Sequence, residues 1–340
     1  MRAVELVLGK EPATLRRIGQ VALPPGAVRA GEVVDVDTVA EAIRRLWSTV
    51  KFSTKKVAVG IANQKVVVRQ VDLPWLPEHE LRRSLDFQVQ DFIPMPVEQA
   101  ILDYHPLEEH VGENGARMLR VLLVAANRDM VNTTVQAVQE AGLEPKVVDL
   151  TSFAVLRSLI ELDHLGLSSR DAEAIVDVGA SITNIIVHQG GVPRFVRILP
   201  MGGSDITEAI ADRAGLPLEQ AEAIKQRLGI PVRPGAVNST DTAERILEST
   251  GASFVEEVRS SLDYFQAQPG SPCVATLLLS GGGAQLPGLA ERLEAAVRIP
   301  VSAGTAMSRL SVGKVRLEPE QLNYVAPLVN VPIGLAMGAA

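Results

Sequence analysis

Short runs of β-branched and aliphatic residues alternate along the chain with stretches whose apolar positions recur every three or four residues. The first pattern predicts strands and the second amphipathic helices. RAVELVLGK and TLRRIGQVALP read as two strands of a meander. In VDVDTVAEAIRRLWSTV, Val39, Ile43, Leu46, Trp47 and Val50 fall on one helical face, with Asp37 as the expected N-cap. KKVAVGI and VVVRQVDLP follow as strands. PEHELRRSLDFQVQDFIP predicts a helix with Pro77 in its first turn. AILDYHPLEEH and RMLRVLLVAAN are strands around the polar loop VGENGA, and DMVNTTVQAVQEAGL is a helix ended by Gly142. VVDLTSFAVLRSLIEL is a strand running into a helix.

After the polar stretch LSSRDAE the pattern restarts. AIVDVGASITNIIVHQGG predicts a tight hairpin, and VPRFVRILP is its partner strand. ITEAIADRAG and LPLEQAEAIKQRLG are helices, each closed by a glycine that can take the left-handed cap. RPGAVNSTD reads as a loop. SFVEEVRSSLDYFQ predicts a helix with Ser253 and Glu256 as a capping box and Phe254, Val258, Leu262 and Phe265 on one face. VATLLLSGGGAQLPGLAERL is a buried strand, a glycine turn and a helix. QLNYVAPLVNVPIGLAMGAA is broken by Asn323, Pro327, Asn330 and Pro332, so it predicts a buried terminal helix rather than a span of ~20 apolar residues. Both halves open on strand–turn–strand, a hint of duplication.

Composition narrows the picture. A chain of 340 residues predicts at least two lobes. Its 46% hydrophobic and 21% charged residues fit a folded soluble protein, and 4% aromatics make the core aliphatic. With 33 basic against 40 acidic residues the net charge is −7, which argues against non-specific nucleic-acid binding. The opening MRAVELVLGKEP has no signal-peptide pattern. Cys273 stands alone, so no internal disulfide is expected; a reducing, cytoplasmic setting fits. Its place before VATLLL predicts a small buried hydrophobe. His105 and His110 lack further ligands, so no metal cluster is expected. Trp75 is either a partner-facing anchor or a boundary core residue.

The candidate chemistry lies in three pieces. In DVGASIT a tight turn presents successive N–H groups into a nest that binds anions. Gly179 lets a phosphate approach bare main chain, Ser181 and Thr183 add hydroxyls, and Asp177 could hold a divalent cation through water. In SGGGAQLPG, Ser280 to Gly288, three glycines could lay a flat ligand against backbone at a helix start. It has neither the Gly-Lys-Ser/Thr of a P-loop nor a dinucleotide fingerprint. EQAEAIK puts Glu222 and Lys225 on one helix face. Each piece alone also fits a purely structural turn or ion pair.

Together, DVGxxxT, GGSDIT, EQAEAIK and LLLSGGGAQLPGL resemble the actin-like ATPase superfamily. More narrowly, VDLPWLPEHELRRSLDFQVQDFIPMPVEQAILDY, VVDLTSFAVLRSL and VPIGLAMG make the chain similar to the PilM family of type IV pilus assembly, relatives of the cell-division protein FtsA. The implied fold class is α/β: a two-lobed, duplicated ribonuclease-H-like actin fold with an α+β module inserted in the first lobe. The expected divisions are 1–65 first lobe, 66–144 inserted module, 145–172 return to the first lobe, 173–200 second-lobe sheet, 201–272 helical subdomain, 273–320 the adenosine turn and 321–340 a terminal return to the first lobe. The resemblance implies ATP and Mg²⁺ as cofactors. Asp177, Gly179, Ala180, Ser181, Thr183 and Asn184 would face phosphate, with Asp177 reaching Mg²⁺ through water. Ser280, Gly281, Gly282, Gly283, Glu222 and Lys225 would face adenosine, and Gly202 and Gly203 form a second-lobe glycine turn. It also implies a scaffold that binds the cytoplasmic tail of a PilN-like inner-membrane protein and meets other pilus proteins, itself peripheral to the membrane and not inserted in it. An FtsA-like division role and a small-molecule kinase are the alternatives. The superfamily's first Asp-x-Gly phosphate hairpin has no counterpart in these residues, so weak nucleotide binding and slower hydrolysis are expected.

Overall fold

The computed structural model describes all residues except 10–11, 162–170, 233–241, 314, 316 and 340. The expected loop RPGAVNSTD and most of LSSRDAE lie outside the described residues. The first lobe begins with β1 (Arg2–Val7) antiparallel to β2 (Thr14–Gln20), followed by the short ladder β3 (Val28–Arg29) and β4 (Glu32–Val33). Helix α1 (Val36–Val50) starts one residue before the residue expected to cap it. The N-cap is Asp35, not Asp37: Asp35 is extended, and its carboxylate accepts from the Thr38 amide at 3.0 Å. Strand β5 (Lys56–Ile61) pairs in parallel with β9 (Glu144–Leu150).

Between β5 and β9 lies the module. Strands β6 (Val66–Pro74), β7 (Ala100–Val111) and β8 (Arg117–Asn127) form an antiparallel sheet in the order β6–β8–β7. Helix α2 (Glu78–Gln88) buries Leu81 and Leu85 against Val121 and Leu123 of that sheet. Helix α3 (Arg128–Glu140) instead packs Ala137 and Val138 on Val39 and Ile43 of α1, so it belongs to the first lobe's core. Trp75 is half-buried; its indole donates to Glu109, and Arg117 stacks on its ring at 3.8 Å.

Helix α4 (Thr151–Leu159) leads into the second lobe. There β10 (Ala172–Val178), β11 (Thr183–Gln189) and β12 (Val192–Leu199) are antiparallel, while β13 (Val274–Ser280) and β14 (Val301–Ala303) extend the sheet in parallel. Strands β10 and β11 read as near-continuous hydrophobics because both faces are covered. One face packs on α5 (Gly203–Ala214), α6 (Leu218–Leu228), α7 (Thr242–Gln266) and α8 (Leu289–Val297). The other takes Val155 and Leu156 of α4. The chain closes with β15 (Ser311–Val312) on β2, α9 (Pro319–Val325) and α10 (Asn330–Gly338), which crosses α4.

Two expectations are corrected. Helix α7 begins at Thr242, so Ser253 is an interior residue whose hydroxyl donates to the Ser249 carbonyl, and Ser253 and Glu256 form no capping box. Gly251 lies inside the helix with Ile230 packed on it; a Cβ there would meet Ile230 Cγ2 at 2.7 Å. Cys273 is exposed rather than buried, because it stands one residue ahead of β13. Among the described residues, no helix is long and apolar enough to cross a membrane.

Candidate functional site

The register of three strands builds the centre of the site. Asp177 of β10 lies opposite Asn184 of β11 and beside Ser280 of β13. Side chains at matched positions of neighbouring strands point to one face, so the three polar groups meet. Ser280 Oγ donates to Asp177 Oδ1 at 2.8 Å, and Asn184 Nδ2 approaches Asp177 Oδ2 at 3.4 Å. Burial pushes the Asp177 carboxyl above its ordinary value; the bonds from Ser280 and Asn184 and the charge of Arg2 offset this only in part.

The network extends to both helices at the lobe junction. Asn184 Oδ1 accepts from Ser152 at 2.9 Å and from Thr151 at 3.2 Å, both in the first turn of α4. Asn330, opening α10, donates to Ser280 Oγ at 2.9 Å and to the Gly304 carbonyl at 3.0 Å. Ser152, Thr151 and Asn330 were not expected in the site. Asn330 left a signal, a polar residue in an apolar run; Thr151 and Ser152 left only their place after a strand.

The turn after Asp177 is tight. Gly179 N–H donates to the Ile182 carbonyl at 2.9 Å, where a Cβ on Gly179 would come within 2.6 Å of the same oxygen. The Gly202–Gly203 turn docks beneath it: Gly203 N–H donates to the Gly179 carbonyl at 3.0 Å and Ser204 N–H to that of Ala180 at 2.7 Å. A Cβ on Gly202 would strike the Gly179 oxygen at 2.5 Å. Gly202 and Gly203 therefore support the turn. Thr183 is likewise turned away from the expected phosphate position, because its fully buried hydroxyl donates to the Met201 carbonyl at 2.8 Å.

The second bend follows β13. Gly281 has φ +85°, and a Cβ there would lie 2.4 Å from the Val178 carbonyl; on Gly283 it would lie 2.3 Å from Val178 Cγ1. These two glycines let the bend press on the end of β10. Gly282 is different: its Cβ would meet only the Leu328 side chain, at 3.1 Å. On α6, Lys225 is buried; its ammonium donates to the Gly203 carbonyl at 2.9 Å, to Thr207 at 2.9 Å and to Glu222 at 2.7 Å. Burial raises the Glu222 carboxyl, but hydrogen bonds from Lys225, Thr207 and Gln226 outweigh it and leave it below its ordinary value.

One cavity of about 460 Å³ between the lobes gathers part of the expected set: Asp177, Gly179, Asn184, Gly281 and Gly282. Ala180, Ser181, Thr183, Ser280, Gly283, Glu222, Lys225, Gly202 and Gly203 do not line it. Among the described residues, no three His, Cys, Asp or Glu side chains form a metal cluster, so Asp177 is the single carboxylate of the expected set on the cavity. One carboxylate plus water and phosphate oxygens is a donor set that suits Mg²⁺.

Two lobes meeting at a cleft, with a strand-ending Asp turn and a glycine bend side by side on the second lobe's wall of it, define an actin-like ATPase fold. MreB5 of Spiroplasma citri bound to ADP has this fold at TM-score 0.50 and 12% identity, covering 94% of this chain and 78% of that one. The chain belongs to the family of the type IV pilus assembly protein PilM, whose family model matches residues 1–340. A solved PilM–PilN type IV pilus biogenesis complex superposes at TM-score 0.86 and 27% identity, over 99% of this chain and 95% of that chain. The cell division protein FtsA of Bacillus subtilis (strain 168) is 24% identical over 314 residues, 81% of this chain and 70% of that protein. FtsA of Escherichia coli (strain K12) is 26% identical over 248 residues, and the match spans only 58% of its length.

Proposed function

We propose that this protein is a nucleotide-dependent scaffold of type IV pilus assembly, which binds ATP with Mg²⁺ in the interlobe cavity and the cytoplasmic tail of a PilN-like membrane protein elsewhere on its surface. Through that partner it would sit at the inner face of the cytoplasmic membrane. The observation that carries this reading is the convergence of the Asp177–Gly179 turn and the Gly281–Gly282 bend on one cavity, in a chain of the PilM family. Bare backbone at Gly282 leaves room for a flat base, while Gly179 keeps the phosphate-side turn tight on the Ile182 carbonyl. Bound ATP with Mg²⁺ would supply the charge that Asp177 faces. The chain's own contribution is orientation: Asn184 ties the Asp177 turn to α4, and Ser280 ties it to α10. A change at the cavity is therefore passed to both helices at the lobe junction.

The test is calorimetric titration with ATP in the presence and absence of Mg²⁺, together with fluorescence anisotropy of a labelled tail peptide. Weak, Mg²⁺-dependent ATP binding and peptide capture are expected. Gly282→Val adds an isopropyl group to the cavity against only one movable side chain, and should weaken ATP binding about tenfold, ~1.4 kcal/mol, with little change in melting temperature. Unchanged ATP affinity in this variant would remove the cavity from the proposal.

A further inference from the structure

The inserted module joins the first lobe at one end. The chain enters it between β5 and β6, through residues 62–65, and leaves it where β8 runs into α3 at Asn127 and Arg128. Around these two crossings Val66 and Ala126 pack with Ile61, Leu150, Met130 and Val131, a buried joint. From there the ladder of β6 and β8 runs outward, from Val66 opposite Ala126 to Pro74 opposite Met118.

The two faces of that sheet have different neighbours. Leu123 points to the face under α2, in one cluster with Leu81 and Leu85. Leu122 points the other way, into a cluster with Ile175, Ile186 and Val196 of the second lobe and Val155 and Leu156 of α4; Val68 packs on the same cluster. Leu122 and Leu123 are each 1% exposed. Further out, the second-lobe face turns polar, with Arg120 held between Asp72 at 2.8 Å and Glu108 at 2.7 Å. Gln70 stands at the border. It is exposed, and its Nε2 donates to the Arg194 carbonyl of β12. Strands β6 and β12 are edge strands that lie against each other, yet no main-chain hydrogen bond joins them. The boundary is thus an apolar seam with one polar contact at its rim. Packing without a ladder is where a structure opens locally before it unfolds, and the β6–β8 ladder keeps the module whole when it does.

We propose that the module swings on its first-lobe joint, and that the Gln70–Arg194 contact is the latch that holds it against the second lobe. In the open arrangement Val68, Leu122 and Val196 are uncovered, while Leu123 stays in the module's own core. Burial of those apolar side chains makes the closed arrangement the dominant one. The latch adds one rim hydrogen bond, about fivefold in the closed-to-open ratio. A ligand that grips the module and the second lobe together favours the closed arrangement, and one that inserts between them favours the open. This inference stands apart from the pilus reading and from nucleotide binding, and its failure would leave both untouched.

Thiol labelling with an uncharged maleimide tests it, on full-length chains carrying Cys273→Ser to remove the exposed native thiol. Leu122→Cys reads the seam, and Leu123→Cys, its neighbour on β8, reads unfolding of the module. Leu122→Cys is expected to react about tenfold faster than Leu123→Cys, or more. Gln70→Met keeps the length and loses the donor; it should speed Leu122→Cys about fivefold and leave Leu123→Cys unchanged. Gln70→Lys, which still donates, should leave both rates as in the parent. Val196→Cys, on the second-lobe wall of the seam, gives the same reading should Leu122→Cys fail to fold. Equal rates at 122 and 123 would overturn the proposal, because the module would then open only by unfolding. A Gln70→Met change that leaves Leu122→Cys as slow as before, or that speeds both cysteines alike, overturns the latch.

Discussion

Asp177 is the residue at which binding and stability are expected to oppose each other. A carboxylate buried to this degree, with its charged form held by only two hydrogen bonds and a nearby Arg2, is disfavoured in the folded state. Its folded pKa lies above the unfolded value, so between the two the folded chain binds more protons than the unfolded one. Stability from this group is complete below the unfolded pKa and is lost as pH rises through the folded pKa. Asp177→Asn keeps the shape and removes the charge. By calorimetry it should melt higher than the parent at pH 7.5, and the gap should close as pH falls toward ~4. A variant that melts lower than the parent at pH 7.5 would mean that the neighbours already compensate the charge. The same residue was legible in the sequence, since an Asp at the end of a hydrophobic strand has no packing reason to be there. Thr183, the first residue of the expected phosphate turn's far arm, was read from its residue type alone. Its hydroxyl looks the same in sequence whether it faces a ligand or, as here, the Met201 carbonyl.

At the scale of elements, the junction between α4 and α10 has the tightest glycine contact among the described residues. A Cβ on Gly334 would fall 1.7 Å from the Ala154 carbonyl, which is backbone and cannot swing aside. Gly334→Ala must push the two helices apart, and should cost about 3 kcal/mol in urea unfolding, more than a glycine-to-alanine change at a free surface helix would return. A neutral or stabilising result would show that the crossing is loose. Element types were legible nearly throughout, because burial on one face or on two leaves different periods in the sequence. Boundaries were less so. Asp35 and Asp37 are equally good caps until a helix start chooses between them, and Gly251 punctuates a helix only if no neighbour such as Ile230 needs the space. The Gly202–Gly203 turn and Lys225 belong to this scale too: their residue types suggested ligand contacts, while their partners are carbonyls of neighbouring turns and the start of α5.

Across the whole molecule, the polar chain from Thr151 and Ser152 through Asn184 and Asp177 to Ser280 and Asn330 is the physical link between the cavity and the helices that join the lobes. No single stretch of sequence announces it, since its members come from five elements spread over about half the chain and only the fold brings them together. If nucleotide acts through lobe orientation as proposed, ATP and the tail peptide must each change the other's affinity by the same factor, because binding free energies are reciprocal. Asn184→Ala cuts the link to α4 while leaving the Gly282 side of the cavity in place. Peptide affinity without nucleotide should be unchanged, and the factor by which ATP alters it should fall toward one. Anisotropy titrations of the peptide with and without saturating ATP, on parent and variant, give that factor directly. A coupling of about fivefold or more that survives in Asn184→Ala would mean that the lobes communicate by another route, with α10 through Asn330 as the remaining connection.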